Sequence, residues 1–258
     1  MTYNEFLTST ALIVGAMGLF SLLEFGVPLF AGGAIRQGRA AANYGLTALT
    51  LSMNWGLSSL AAVFAVALSL EGDGLLVSLD LPGWGLIATS VLVLDFSTYL
   101  AHRSMHAIPA LWKLHRVHHS DPFVDVSTTL RQHPLEGVWR FLWVVVPAGL
   151  LGLPAIGLVL YRGLSAVQAV FEHANVRVSP KIDRPLSLVW VTPDMHKIHH
   201  SRRQRQTDSN YGNLFALYDR VLGTFTPSEE VSGIVYGLAD ADLRQAKSFR
   251  GVMAMPFS

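Results

Sequence analysis

Apolar residues in this chain gather in long unbroken runs instead of the short alternations of a soluble fold, and those runs predict its elements. Phe6 to Phe30 is a stretch of about 25 residues broken only by small polar residues and Glu24, long enough to cross a hydrocarbon core of about 30 Å as a helix. A second run covers Tyr44 to Leu70 and a third Trp84 to Leu100. Between His133 and His173 lie two more apolar segments of about 16 to 20 residues each, joined near Gly152 and Pro154. They predict a helical hairpin that enters and leaves on one face and need not cross fully. From about Asn175 onward apolar runs are short. The pattern therefore predicts an all-α, multi-pass transmembrane helical bundle of three spanning helices plus an apolar helical hairpin, completed by a cytoplasmic histidine-rich cap. Residues 1–258 read as one integral-membrane domain. Within it, 1–100 carry the three spans, 101–135 the first two histidine motifs, 136–173 the hairpin and 174–258 the cap.

Composition agrees with this pattern. With 51% hydrophobic and 14% charged residues, and a mean hydropathy of +0.38, the chain is too apolar for an ordinary soluble domain. A net charge of +1 predicts no nucleic-acid surface. The absence of cysteine excludes thiolate zinc sites, iron–sulfur clusters, disulfides and a cysteine nucleophile. No Lys or Arg precedes Arg36, so the first run lacks the basic start of a secretory signal and is expected to be retained. Arg36 and Arg39 are the only basic residues of the first hundred, which by the positive-inside rule makes their loop cytoplasmic. The loop with Glu71, Asp73 and Asp80 then lies on the far side, and the third helix returns to the cytoplasm. Seventeen of the 19 Lys and Arg residues follow it. Arg162, inside the hairpin, is expected to face a cavity or a partner rather than lipid.

All 10 histidines lie between positions 102 and 200. His102 and His106 form HxxxH, while His115, His118 and His119 form HxxHH, and so do His196, His199 and His200. In a helix, residues at i and i+4 share a face and adjacent residues point about 100° apart. An HxxxH pair can grip one ion. In HxxHH, His115 and His119 can do the same, while His118 turns toward a second. Eight imidazoles are too many for one tetrahedral zinc, and two ions fit the count better. A basic patch for lipid phosphates would use Lys and Arg instead. The HExxH of zinc proteases is missing, and a haem needs only one or two axial ligands. A pair of oxygen-activating irons where membrane helices meet a cap uses every ligand.

These motifs, HRSMH, HRVHH and HKIHH, resemble those of the fatty acid hydroxylase superfamily, which includes sterol desaturases, lipid hydroxylases and alkylglycerol monooxygenase. The similarity extends to DFSTYLAHR, LWKLHRVHHSD, RQHPLE, EHANV, VTPDMHKIHHS and NYGNLFALYDRVLGTF, with Tyr218 where the family commonly has Trp. The resemblance implies a non-haem di-iron centre that uses O2 and two electrons to hydroxylate or desaturate a lipid. It implies His102, His106, His115, His118, His119, His196, His199 and His200 as ligands, with His173 of EHANV as a ninth. His133 could ligate, hydrogen-bond a ligand or shape its loop. No cytochrome domain, flavin motif or dinucleotide fingerprint is present, so a separate electron-transfer protein is expected to act as external donor.

Metal-bound imidazoles usually donate their second N–H to a carboxylate or carbonyl. Asp95, Tyr99, His102 and His106 share one helical stripe, so Asp95 or Tyr99 is placed to orient His102. Asp208 and Asn210 could do the same for the third motif, or serve a turn. The competing class is a non-redox metalloprotein. A metal transporter would need more ionisable residues in its spans than Glu24 and Asp95. A zinc-dependent lipid hydrolase would recruit Glu136 or Glu172 as its general base.

Overall fold

The computed structural model describes residues 3–32, 38–69, 75–76, 81–238 and 243–258, and within them the protein is all-α. Helices α1 (Tyr3–Gly26), α2 (Ala40–Ser69) and α3 (Gly83–Ala107) follow the first three apolar runs. A single residue, Ile108, separates α3 from α4 (Pro109–His119). The cause is local: a proline disfavours helical geometry in the residue before it, while its fixed φ suits the first position of a helix. The first two histidine motifs thereby sit on two helices joined at a sharp corner.

The hairpin consists of α5 (Pro134–Leu151) and α6 (Ala155–His173). It turns at Gly152, whose φ of 67° is in the left-handed region that favours glycine. Four helices are long and apolar enough to cross a membrane, over Leu7–Gly26, Gly83–Ala107, Pro134–Leu151 and Ala155–His173. Leu19, Leu22 and Phe25 on α1 and Val146, Leu150 and Val159 on the hairpin are exposed, the surface expected of helices that face lipid. The remaining helices are short: α7 (Pro180–Leu186), α8 (Pro193–His199), α9 (Gln204–Thr207), α10 (Leu217–Val221), α11 (Leu243–Lys247) and α12 (Phe249–Ala254). Thr192 caps α8, its hydroxyl accepting from Met195 N, and Pro193 opens that helix.

The segment after Asn175 packs against the bundle. Its backbone runs alongside α3, where Val191 N donates to Leu214 O (3.0 Å) and Ala216 N to Val189 O (2.9 Å). Tyr218 Oη there donates to Leu92 O in the middle of α3 (2.8 Å). At the end of α1, Glu24 accepts from Val126 N (2.9 Å) and Asn175 N (2.7 Å), which ties the first span to the loops after α4 and α6.

Two buried arginines hold the loop between α4 and α5. Arg39, read from sequence as a topology marker, points inward and pairs with Asp121 (2.7 Å) and with Asp125. Arg36 and the acidic Glu71, Asp73 and Asp80 lie outside the described residues. Arg131 is fully buried. It donates to Val117 O (2.9 Å), Asn43 Oδ1 (2.6 Å), Ser120 Oγ (2.7 Å) and Ala246 O (2.7 Å), joining α4, α2 and α11 through one side chain. Arg131→Met would remove these four hydrogen bonds at once, Val117 O alone of the four acceptors being seen to keep a second side-chain donor, Ser120 Oγ. It is expected to destabilise the protein by roughly 1–3 kcal/mol, read as a lowered thermal unfolding midpoint in detergent.

Candidate metal centre

Nine of the 10 histidines converge at the end of the bundle in two abutting clusters. His102, His106, His115, His119 and His199 form one, and His118, His173, His196 and His200 form the other. Each HxxHH divides in the same way. His115 and His119 enter the first cluster while His118 crosses to the second, and His196 and His200 enter the second while His199 crosses to the first. Both pairs at i, i+4 therefore grip together, and the residue between them serves the other side.

The ring nitrogens that face inward are close. In the four-histidine cluster, His173 Nε2 lies 3.0 Å from those of His118 and His196 and 3.3 Å from that of His200, while His196 and His200 are 3.2 Å apart. In the five-histidine cluster, His115 Nε2 lies 3.1 Å from His102 Nε2 and 3.2 Å from His119 Nε2. Nitrogens bound about 2.1 Å from a common ion lie about 3.0 Å apart at right angles and about 3.4 Å apart at tetrahedral angles. The observed separations match that range.

Two of these contacts, His102–His115 and His118–His173, are not ordinary hydrogen bonds, because the outward nitrogens of both rings face acceptors. His102 Nδ1 faces Tyr211 O (2.9 Å), His118 Nδ1 Arg131 O (3.1 Å), His173 Nδ1 Ala169 O (2.7 Å) and His199 Nδ1 Ser209 O (2.7 Å). Carbonyls only accept, so in each of these rings the proton is on Nδ1 and a neutral ring has a lone pair on Nε2. His115 Nδ1 faces Glu136 Oε1 (2.9 Å) and His106 Nδ1 faces Asp208 Oδ1 (3.3 Å), which favour the same tautomer. Inward lone pairs repel one another unless a cation lies between them. His106 Nε2 and His199 Nε2 have no hydrogen-bond partner although buried. Burial, followed by the neighbouring imidazoles, pushes His115, His119, His196 and His200 well below the usual histidine range. The rings thus stay in the neutral form that binds metal. The donor set fits metal ions.

The polar residues around the histidines depart from the sequence reading. Asp95 does not touch His102: it accepts from Leu214 N (3.0 Å), Phe215 N (3.0 Å) and Asn213 Nδ2 (3.2 Å). It holds the loop whose Tyr211 carbonyl meets His102, and so acts one step removed. Backbone N–H groups outcompete the imidazole for the carboxylate. Tyr99 also turns away, its hydroxyl 2.9 Å from Thr224 Oγ1. Asp208 meets His106 of the first motif and not the third, whose His199 is held by the Ser209 carbonyl. Asn210 serves the turn. It has a φ of 54°, donates to Met195 O and Thr226 O, and accepts from Thr226 N. His133 lies in neither cluster and caps α5, its Nδ1 accepting from Leu135 N (3.3 Å).

Residues 87–224 match the family model for fatty acid hydroxylase, more than half of the chain. The chain belongs to the fatty acid hydroxylase family. It is 30% identical over 172 residues to the ornithine lipid hydroxylase OlsE of Rhizobium tropici, covering 67% of this chain and 50% of the relative. Over 146 residues it is 33% identical to the alkylglycerol monooxygenase of Caenorhabditis elegans, covering 56% and 28%. Over 156 residues it is 28% identical to the methylsterol monooxygenase 2-1 of Arabidopsis thaliana, covering 55% and 57%. The chain thus spans between about a quarter and three fifths of the length of these relatives. No solved structure matches it. The matched family segment contains all three histidine motifs and His173.

His118→Ala and His199→Ala remove imidazoles from different clusters. Each is expected to lower bound metal to about half, and the double variant to abolish it, measured by elemental analysis of detergent-purified protein. His133→Ala should keep all its metal and lose only about 1 kcal/mol of stability, as for a helix cap.

Proposed function

We propose that the protein is an integral-membrane oxidoreductase that hydroxylates or desaturates a lipid, using O2 at a centre of two iron ions held by the nine clustered histidines. The observation that carries this reading is the division of those histidines into two buried clusters in which six of the nine rings turn Nδ1 to an oxygen acceptor and leave Nε2 facing inward. Family membership and the names of the relatives support lipid oxidation, and the four apolar helices support a membrane setting. The relatives' names cite an ornithine lipid, alkylglycerols and methylsterols, so they agree on a lipid and differ on which.

Bound iron would supply oxygen activation and the electron transfer that an unactivated C–H bond requires. The chain's own residues prepare the place for it. The carbonyls of Tyr211, Arg131, Ala169 and Ser209 fix four rings in one tautomer and one orientation. Glu136 increases the basicity of His115 by accepting a hydrogen bond from its Nδ1, and its charge is balanced by Arg140 (2.9 Å). Burial of both clusters excludes bulk water from the reacting carbon. Because α3 and α6 carry His102, His106 and His173 at the ends of apolar spans, a lipid chain can reach the site without leaving the bilayer. We assign residues 1–258 to one integral-membrane domain with the metal site on the cytoplasmic side, supported by the concentration of Lys and Arg after α3. Electrons come from a separate transfer protein.

Iron-loaded protein in detergent, given a reductant, O2 and a panel of lipids, is expected to consume oxygen only when a substrate lipid is present. The product, identified by mass, should carry either one added oxygen or one new double bond. Zinc in place of iron, with lipid turnover that persists under anaerobic conditions, would instead favour a hydrolase.

A further inference from the structure

Two stretches of the segment after α6, residues 186–191 and 211–222, present the reverse of a water-facing surface. Every residue exposed in them is apolar: Leu188, Val189, Leu217, Val221 and Leu222. Val221 is 73% exposed and Leu188 and Val189 56% each, while Asp219 is fully buried. The polar side chains turn inward. Asn213 donates to Asp95 and Ser165, the Trp190 indole donates to Gln168, and Arg220 donates to Ser187 O (2.9 Å) and lies over the Phe225 ring. The Arg220 contact and the bond from Ala216 N to Val189 O hold the two stretches side by side, so the five apolar residues form one face. An exposed apolar face of this kind marks contact with a membrane or a protein.

The main chain is also satisfied from within. Every N–H from Ser187 to Val191 donates to a backbone carbonyl. Those of Tyr211 and Gly212 donate to Asp219, and those of Leu214 and Phe215 to Asp95. Irregular backbone is tolerated at membrane depth only where its polar groups are met by protein in this way. The position of the two stretches agrees. Tyr218 Oη reaches Leu92 O, and its ring lies 5.2 Å from that of Phe96. Leu92 and Phe96 are themselves exposed on α3, a helix long and apolar enough to span. Leu92 precedes His102 by ten residues, about 15 Å along the helix axis and about half of a hydrocarbon core of about 30 Å. Trp190 and Phe215 pack against the apolar cluster built on Leu94, Leu153 and Tyr161 of the bundle.

We propose that this face is set into the bilayer beside α3 without crossing it, and that its partner is the acyl chains of membrane lipid. It continues the exposed flank of a spanning helix, which decides for lipid over a protein partner. The proposal rests on the membrane setting given above. The same loop carries the Tyr211 carbonyl that meets His102, so the lipid face adjoins the five-histidine cluster.

The chain has no cysteine, so single nitroxide labels can be placed by Leu217→Cys and Val221→Cys on the face, by Leu22→Cys on α1 and by Arg203→Cys in the cationic stretch with Arg202 and Arg205. All four sites are exposed, and a helical circular dichroism spectrum of each variant checks the fold. Each full chain, in phosphatidylcholine vesicles, is read by electron paramagnetic resonance with O2, which concentrates in hydrocarbon, and with nickel ethylenediaminediacetate, which stays in water. The labels on the face are expected to match the one on α1, with a ratio of O2 to nickel relaxation severalfold higher than at Arg203→Cys. Nickel access on the face equal to that at Arg203→Cys would overturn the proposal. Protection from both reagents, with spin–spin broadening between copies, would overturn it in favour of an interface between two chains. Nickel access at Leu22→Cys as well would remove the membrane setting itself, a separate result.

Discussion

Everything in this structure is arranged around one electrostatic problem: lone pairs on buried imidazoles aimed at one another in a dry interior. Left alone, such an arrangement would spread apart or take up protons. Burial resists the second course by disfavouring imidazolium, and packing resists the first. What remains is a pair of preformed clusters whose donor atoms suit a cation in each. The nine rings are therefore best understood as a single object rather than as nine separate side chains.

Backbone oxygens do most of the restraining. Four of the nine rings are fixed by carbonyls, each at the end of a chain of further contacts. The Arg131 carbonyl meets His118 while its guanidinium ties α4 to α2 and α11. The Tyr211 carbonyl meets His102, and Asp95 and Asp219 hold that loop by its N–H groups. Gly212 lets this loop pass, since a Cβ there would lie 2.7 Å from Phe215 O. Parts of the chain far from any histidine thus set the angle of each ring.

How much of this could be read beforehand follows from what leaves a trace in sequence. Helical spacing separates His118 from its neighbours, and apolar runs place α1, α3, α5 and α6, because both are periodic signals. The role of Asp95 left a misleading trace. Its register with His102 is real, but its partners are main-chain N–H groups, which every residue carries and none advertises. Arg39 misled for a similar reason, since a charge count treats every arginine as facing water, and this one is buried against Asp121 and Asp125.

The crossing of His118 and His199 between the clusters has a further consequence. His118 and His119 are consecutive, as are His199 and His200, and each couple has one member on either side. The spacing of the two sites is consequently a property of covalent geometry: two peptide bonds act as rulers laid across the gap. Evolution could reshape the walls around the clusters while that interval stayed the same. Inserting one residue between either couple would turn a ring by about 100° and remove a support common to both sites.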